Sequence, residues 1–81
     1  MDTRAEETAA RRRRLLDAAI EVLGEAGADR LTMEAVANRA DAATRTLYNH
    51  FSSRDELIAA ALHRLLQEYR DAFDMQPPDH E

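Results

Sequence analysis

The sequence predicts an all-α protein: a three-helix bundle containing a helix-turn-helix, followed by a longer fourth helix. Only two Gly and two Pro occur in 81 residues, and the abundance of Ala, Leu, Glu and Arg favours helices over sheets. Apolar residues recur with helical spacing in several segments. Two segments of about nine residues are joined by a tight turn and flanked by longer helices, which is the outline of a helix-turn-helix.

Residues 1–9 have no apolar face, and we expect them to form a mobile N-terminal arm. The first helix is predicted over residues 10–25, where apolar residues follow an i, i+3, i+4, i+7 pattern. Gly27 supplies a stop signal at its C-terminal end. The expected buried stripe consists of Leu16, Ala19, Ile20, Leu23 and Ala26.

The second and third helices complete a predicted helix-turn-helix domain over residues 10–53. Thr32 is positioned to cap the second helix. Asp41 allows a tight turn, since Asp adopts positive φ more readily than most residues. The third helix is predicted from about Ala43 to Phe51. The expected buried face of the second helix is Met33, Val36, Ala37 and Ala40.

A fourth helix is predicted over residues 54–74. The sequence Ser53-x-x-Glu56 is a capping box, a typical start signal. An apolar stripe then continues over residues 57–73, which is longer than three short helices can cover. The two prolines end the helix, and residues 75–81 are expected to be a disordered tail.

Helical geometry predicts which face of the third helix points outward. At 100° per residue, Ala43 and Phe51 fall within about 40° of Leu47, so these three residues are expected to face the core. Arg45 and Asn49 fall about 160° away, on the opposite side. In a helix that lies in the major groove of DNA, the outermost side chains reach base edges and the flanking ones reach phosphates.

The outward residues have the chemistry that reads bases. Arg45 has the donor geometry to bind guanine O6 and N7, and Asn49 can pair with adenine N6 and N7. Thr44, on one flank, suits a thymine methyl group or a phosphate. These three residues are the candidate base-reading set.

Hydrogen-bonding groups around this set are candidate phosphate contacts. Thr46 and His50 lie on one flank of the third helix, while Tyr48 shares the other flank with Thr44. The Thr32 hydroxyl lies at the start of the second helix, beside its free backbone amides. The guanidinium of Arg54 is the last candidate. Such contacts fix the position of a protein on DNA without reading its sequence.

Positive charge is confined to two segments although the net charge is −5. Residues 11–14 carry +4 and residues 30–54 carry +2, whereas the segments 1–10, 15–29 and 55–81 are all acidic. The run Arg11, Arg12, Arg13 and Arg14 is either a solvated helix start or an arm that binds phosphates or the minor groove. On a helix, at most two of the four can point at one DNA backbone.

Residues 31–40 and 46–57 resemble the DNA-binding region of the tetracycline-repressor (TetR) family. The resemblance covers about residues 11–65 and rests on Thr46-Leu47-Tyr48-x-His50-Phe51, followed by a small residue, Ser, a basic residue and an acidic pair. It implies a sequence-specific transcriptional regulator, typically a repressor. By the same resemblance, Tyr48, His50 and Arg54 match phosphate contacts, Thr32 matches the anchor of the second helix, and Thr44, Arg45 and Asn49 match the variable base-reading positions.

The sequence also departs from the family pattern. Asp41 stands where members often have Gly in the turn, and Ala43 replaces a frequent Ser or Thr cap. Family members carry a larger C-terminal domain that dimerises and binds a small-molecule inducer, whereas this sequence stops at Glu81. The sequence is therefore either an isolated DNA-binding domain or a natural short variant, and we favour the isolated domain, whose full-length protein is expected to be a homodimer on a near-palindromic operator in double-stranded DNA.

The sequence supports two other classes of function less well. A small helical module that binds another protein through the stripe of residues 57–73 is the main alternative, although the polar outward row of the third helix favours DNA. An enzyme is disfavoured, because the sequence offers no nucleophile with a base and no Gly-rich phosphate loop. No cofactor and no metal site are expected, and there is no Cys. With no apolar stretch of membrane-spanning length and no signal peptide pattern, we expect a cytoplasmic protein.

Overall fold

The computed structural model describes residues 3–73, and these residues form four α-helices and one 3-10 turn. Among them there is no strand, so the predicted all-α class is confirmed. The helices are α1 (Thr3–Ala26), α2 (Met33–Arg39), α3 (Thr44–His50) and α4 (Arg54–Phe73), and the 3-10 turn is Ala28–Arg30. Helix α1 packs against both α2 and α4, and α2 is the close backbone neighbour of α3.

Helix α1 begins earlier than predicted. Residues 3–9 are helical and exposed, so the helix includes most of the segment that was expected to form an arm. Their alanines favour helix without tertiary contacts, and the Thr8 hydroxyl donates to the Arg4 carbonyl at 2.9 Å inside the helix. At the other end Gly27 has φ 85° and stops the helix as predicted. The predicted tail, residues 75–81, lies outside the described residues.

The buried face of α1 differs from the predicted stripe. Leu16 and Ala19 are buried as expected, but Ile20 and Leu23 are only half-buried and Ala26 is exposed. The face is rotated toward Leu15 and Val22, and α1 packs against both α2 and α4. The buried residues of α1 are Leu15, Leu16, Ala18, Ala19 and Val22.

Helix α2 and the following turn form as predicted. The Thr32 hydroxyl accepts a hydrogen bond from the Ala35 backbone N–H at 3.0 Å, which caps the helix. Asp41 adopts the left-handed conformation with φ 57°, and the Ala42 N–H donates to the Ala37 carbonyl at 2.9 Å. The turn therefore folds α3 back across α2. The buried face of α2 is Met33, Val36 and Ala37, with Ala40 after it.

The start of α4 uses its capping box in a shifted form. The Ser53 hydroxyl accepts from the Glu56 N–H at 3.1 Å, as the sequence predicts. The reciprocal bond, however, reaches Ser52: the Ser52 N–H and hydroxyl both donate to Glu56 Oε1. These bonds, the hydroxyl's above all, lower the pKa of Glu56. The capping network thus fixes the α3–α4 junction.

The second half of α4 extends beyond the bundle. Leu57 and Ala61 are buried and Ile58 is half-buried, but the later apolar residues of the helix are exposed. The prediction that the stripe is too long for its partners is therefore confirmed. The exposed large apolar residues of α4 are Leu62, Leu65, Leu66, Tyr69 and Phe73.

Candidate nucleic-acid interface

Helix α3 exposes the polar face that its sequence predicts. Leu47 and Phe51 are fully buried, and both belong to the single core cluster. Arg45 and Asn49 are exposed on the opposite face. Ala43 is also exposed, which contradicts its predicted inward position. It precedes the helix with extended backbone, φ −74° and ψ 146°, so helical spacing does not apply to it.

One flank of α3 shares a cleft with the start of α2. Thr44 and Tyr48, which were predicted to lie on the same flank, line this cleft together with Thr32. The Tyr48 side chain is 48% exposed, so its hydroxyl is available to a ligand. Glu34 lines the same cleft and places a carboxylate beside these hydroxyl groups. The three hydroxyls together form an open, hydrogen-bonding edge next to the outward face of α3.

The opposite flank of α3 meets α1. Thr46 lines a cleft with Arg11 and Arg14, which are three residues apart and therefore lie on one face of α1. Asp41, in the turn before α3, lines the same cleft. Two of the four consecutive arginines thus lie beside α3, the maximum that helical geometry predicts for one DNA strand.

The other two arginines of the run point elsewhere. Arg12 and Arg13 line a groove between α1 and α4, and a DNA-arm role for them stays a prediction. Arg12 Nη1 donates to the His50 carbonyl at 3.4 Å, and its guanidinium carbon lies 4.5 Å from the centre of the Phe51 ring. The His50 side chain is half-exposed, at the end of α3.

Arg54 makes structural contacts that the sequence did not predict. Its Nε donates to the Leu31 carbonyl at 2.6 Å, and its Nη2 donates to the Ala28 carbonyl. Nη1 lies 3.8 Å from the Asp55 carboxylate. The guanidinium therefore holds the chain that leads into α2, because two of its donors already bind carbonyl groups. A phosphate contact through its remaining nitrogen, Nη1, stays a prediction.

This arrangement matches a known class of protein. The family model for bacterial regulatory proteins of the tetR family matches residues 15–61, more than half of the chain and the whole of the helix-turn-helix. The chain belongs to the tetR family. The resemblance noted in the sequence is thereby confirmed, and the chain carries the N-terminal DNA-binding domain of that family.

Curated relatives of this tetR-family chain are transcriptional regulators. It is 44% identical over 54 residues to the HTH-type transcriptional repressor KstR of Mycolicibacterium smegmatis, covering 67% of the chain and 26% of that protein. With KstR of Rhodococcus jostii it shares 40% over 68 residues, 84% of the chain and 32% of the relative. The HTH-type transcriptional regulator BetI of Rhizobium meliloti is 34% identical over 61 residues, 75% of the chain and 30% of the relative.

The match to these relatives is partial in length. The chain spans about a third or less of the curated relatives it matches. No solved structure matches it. The family assignment covers residues 15–61, which include α2 and α3.

Sequence reasoning missed one residue that orients this tetR-family domain. Arg39, at the end of α2, binds Glu25 with two nitrogens, and its Nη1 lies 3.1 Å from Glu21 Oε1. These hydrogen bonds raise the pKa of Arg39 and lower the pKa of Glu25. The spacing of these residues in the sequence could not predict the contact, because it depends on how α1 and α2 pack against each other.

Metal and membrane features can be described for residues 3–73 only. No group of three or more metal-ligating side chains occurs within that range. None of its helices has the length and apolar character needed to cross a membrane.

Proposed function

We propose that this chain binds double-stranded DNA in a sequence-specific manner, with α3 in the major groove. The observation that carries the proposal is the exposure of Arg45 and Asn49 on the face of α3 opposite fully buried Leu47. A major groove is wide enough to admit one helix, whose outermost side chains then meet the base edges. Family membership supports the same conclusion.

Direct base reading is assigned to three residues. The Arg45 guanidinium has no ion pair within residues 3–73, so its donors are available to guanine O6 and N7. Asn49, four residues later on the same face, is suited to adenine N6 and N7. Thr44, half-buried on the flank, contacts a thymine methyl group or the adjacent phosphate.

Phosphate contacts are assigned to the two flanks of α3. Thr32 and Tyr48 bind one DNA strand from the cleft between α2 and α3. Thr46 binds the other strand with help from Arg11 and Arg14, which line its cleft. His50 contributes from the end of α3, where its side chain is half-exposed. The carboxylates of Glu34 and Asp41 in these two clefts oppose phosphate binding and favour modest affinity for random DNA.

The same proposal covers the regulator as a whole. By similarity to the KstR repressors, the protein represses transcription, and it acts in the cytoplasm, where bacterial chromosomal DNA lies. Two copies bind a near-palindromic operator, with half-sites one helical turn, about 34–36 Å, or a multiple of that apart. Dimerisation and any small-molecule inducer are assigned to a C-terminal domain of the full-length homodimer. No cofactor or catalytic role is assigned to this chain.

The proposal is tested by selecting bound oligonucleotides from a random pool at two salt concentrations. We expect enrichment of one motif, with two inverted copies in the most tightly bound DNA. Arg45→Ala should then reduce binding to the selected site by about 1–3 kcal/mol and leave binding to random DNA nearly unchanged. Arg70→Ala is the matched control, because Arg70 is exposed on α4 and outside both clefts. Equal losses on both DNAs would reassign Arg45 to a phosphate.

Salt dependence gives a second, independent test. Arg11, Arg14 and Arg45 are the cations placed toward the interface, and few phosphates are neutralised by so small a set. The slope of log affinity against log salt should therefore be about −2 to −4 per domain. A slope of zero would refute DNA binding and favour a protein partner. Nanomolar binding of a strict monomer to a single half-site would refute the requirement for two copies.

The alternative of a protein-binding module that uses residues 57–73 is not favoured. The exposed apolar residues of α4 are compatible with it, but the family and the named relatives are transcriptional regulators. In a longer regulator the same face of α4 is available to a further domain.

A further inference from the structure

Arg12 lies where α1, the end of α3 and the start of α4 meet. Its Nη1 donates to the His50 carbonyl at 3.4 Å, and its guanidinium carbon lies 4.5 Å from the centre of the Phe51 ring. It also attracts the Glu56 carboxylate electrostatically. One side chain of α1 thus contacts the last residues of α3 and approaches the capping network of α4.

Apart from its buried residues Leu47 and Phe51, helix α3 has few groups that fix its orientation. It is seven residues long, and Ala43 at its N-terminal end makes no capping bond through its side chain. The last four carbonyls of a helix lack partners inside that helix, and a cation near them is favourable. Arg12 supplies both a donor and a positive charge at this end. Phe51 is fully buried, so the ring under the guanidinium is itself held firmly.

We propose that Arg12 is a positioning residue: it holds the C-terminal end of α3 against α1, and thereby aims Arg45 and Asn49 at the base edges, without contacting DNA itself. This inference rests on the proposed DNA-binding function. It separates Arg12 from Arg11 and Arg14, which line the cleft beside Thr46.

Three variants of the full 81-residue chain test the inference, each with the selected site and with random DNA over a series of salt concentrations. Arg12→Ala should weaken binding to the selected site by about five- to seventyfold, the range expected for losing one hydrogen bond and one exposed cation–π contact. Its salt slope should equal that of the wild type, because no phosphate contact is lost. Arg12→Lys keeps the charge and a donor, and should recover most of the affinity.

Arg13→Ala is the matched control. It removes the same charge from the next residue of α1, and Arg13 contacts α4 through its backbone carbonyl, which accepts from Arg64 Nη1 at 3.3 Å. Its affinity for both DNAs should stay within about twofold of the wild type. If Arg12→Ala and Arg13→Ala behave alike while the wild type binds its site, the positioning role is wrong. A salt slope shallower by about 0.9 for Arg12→Ala would instead make Arg12 a phosphate contact.

Nuclear magnetic resonance supplies a readout that does not depend on DNA. The side-chain protons of Arg12 should be shifted upfield by the Phe51 ring, and Arg12→Ala should move the His50 and Phe51 amide signals more than Arg13→Ala does. Absence of both effects would overturn the contact. If Arg12→Ala fails to fold by circular dichroism, Arg12→Gln replaces it, with the same affinity and slope criteria. Failure of the wild type to bind any DNA would refute the proposed function instead.

Discussion

Shortening Leu47 to alanine tests the orientation of α3, on which the whole interface depends. Leu47 is fully buried in a core that contains few large side chains. Leu→Ala at such sites costs about 2–5 kcal/mol, because the transfer energy is lost and a cavity remains. A chain of this size is stabilised by about 4–12 kcal/mol in total, so the loss is a large fraction. For a loss of about 3 kcal/mol, the Tm should fall by about 12–24 °C.

The measurement is urea denaturation followed by far-ultraviolet circular dichroism, with Leu66→Ala as the matched control. Leu66 undergoes the same chemical change in a helix, but it is 67% exposed. Its free energy of unfolding should change by no more than about 0.5 kcal/mol. The m-value, the slope of the free energy of unfolding against urea concentration, should be the same for both variants and the wild type. Differences in the unfolding midpoint then report differences in stability. A loss below about 1 kcal/mol for Leu47→Ala, or equal losses for both, would mean that Leu47 does not anchor α3.

Three further changes have expected outcomes that unfolding experiments check. Asp41→Gly should raise the free energy of unfolding by about 0.5–1 kcal/mol, because Gly adopts the observed φ of 57° without steric cost. Ala43→Ser should add about 1 kcal/mol by capping α3, which has no side-chain cap. Glu56 has a lowered pKa through its bonds from Ser52, so its stabilising effect is present above its ordinary pKa of 4.5 and is lost as pH falls through the lower folded value. Glu56→Gln should therefore flatten the decline of Tm in this acidic range.

Each of these outcomes can fail in a distinct way. A destabilised Asp41→Gly variant would mean that the Asp41 carboxylate contributes more than its backbone strain costs. An unchanged Ala43→Ser variant would place the new hydroxyl away from the first turn of α3. A Glu56→Gln variant with an unaltered pH profile would show that other carboxylates dominate acid unfolding.

Local signals in the sequence predicted the helix-turn-helix well. The Thr32 cap, the left-handed Asp41 and the Gly27 stop all depend on neighbouring backbone groups, and all three appear as expected. The buried face of α2 was also correct, because it packs along one side. Periodicity failed where a helix has partners on two sides, as in α1, and where a residue precedes the helix, as Ala43 does.

The groups that each arginine contacts could not be predicted from its position in the sequence. Arg11 to Arg14 are consecutive, yet Arg11 and Arg14 lie beside Thr46, whereas Arg12 and Arg13 line the groove between α1 and α4, where Arg12 also contacts the end of α3. Arg54 fits the family pattern for a phosphate contact, but its donors bind two carbonyls of the loop before α2. The contacts of each arginine depend on which backbone groups the helix packing brings near it. The sequence order does not contain that tertiary information.

Ion pairs elsewhere in the bundle explain how an acidic chain presents unpaired arginines beside α3. Glu21 and Glu25 bind Arg39, and Asp17 and Glu68 bind Arg64, so these acidic groups offset arginines that hold α1 to α2 and α4. Within residues 3–73, no ion pair engages the arginines that flank or lie on α3, namely Arg11, Arg14 and Arg45. The field that a phosphate meets is set by these nearby cations together with the carboxylates of Glu34 and Asp41 in the two clefts, because the paired charges largely cancel and distant ones are screened within about 10 Å. Net charge is therefore a poor guide to the partner of this protein, and the distribution of unpaired arginines is a better one.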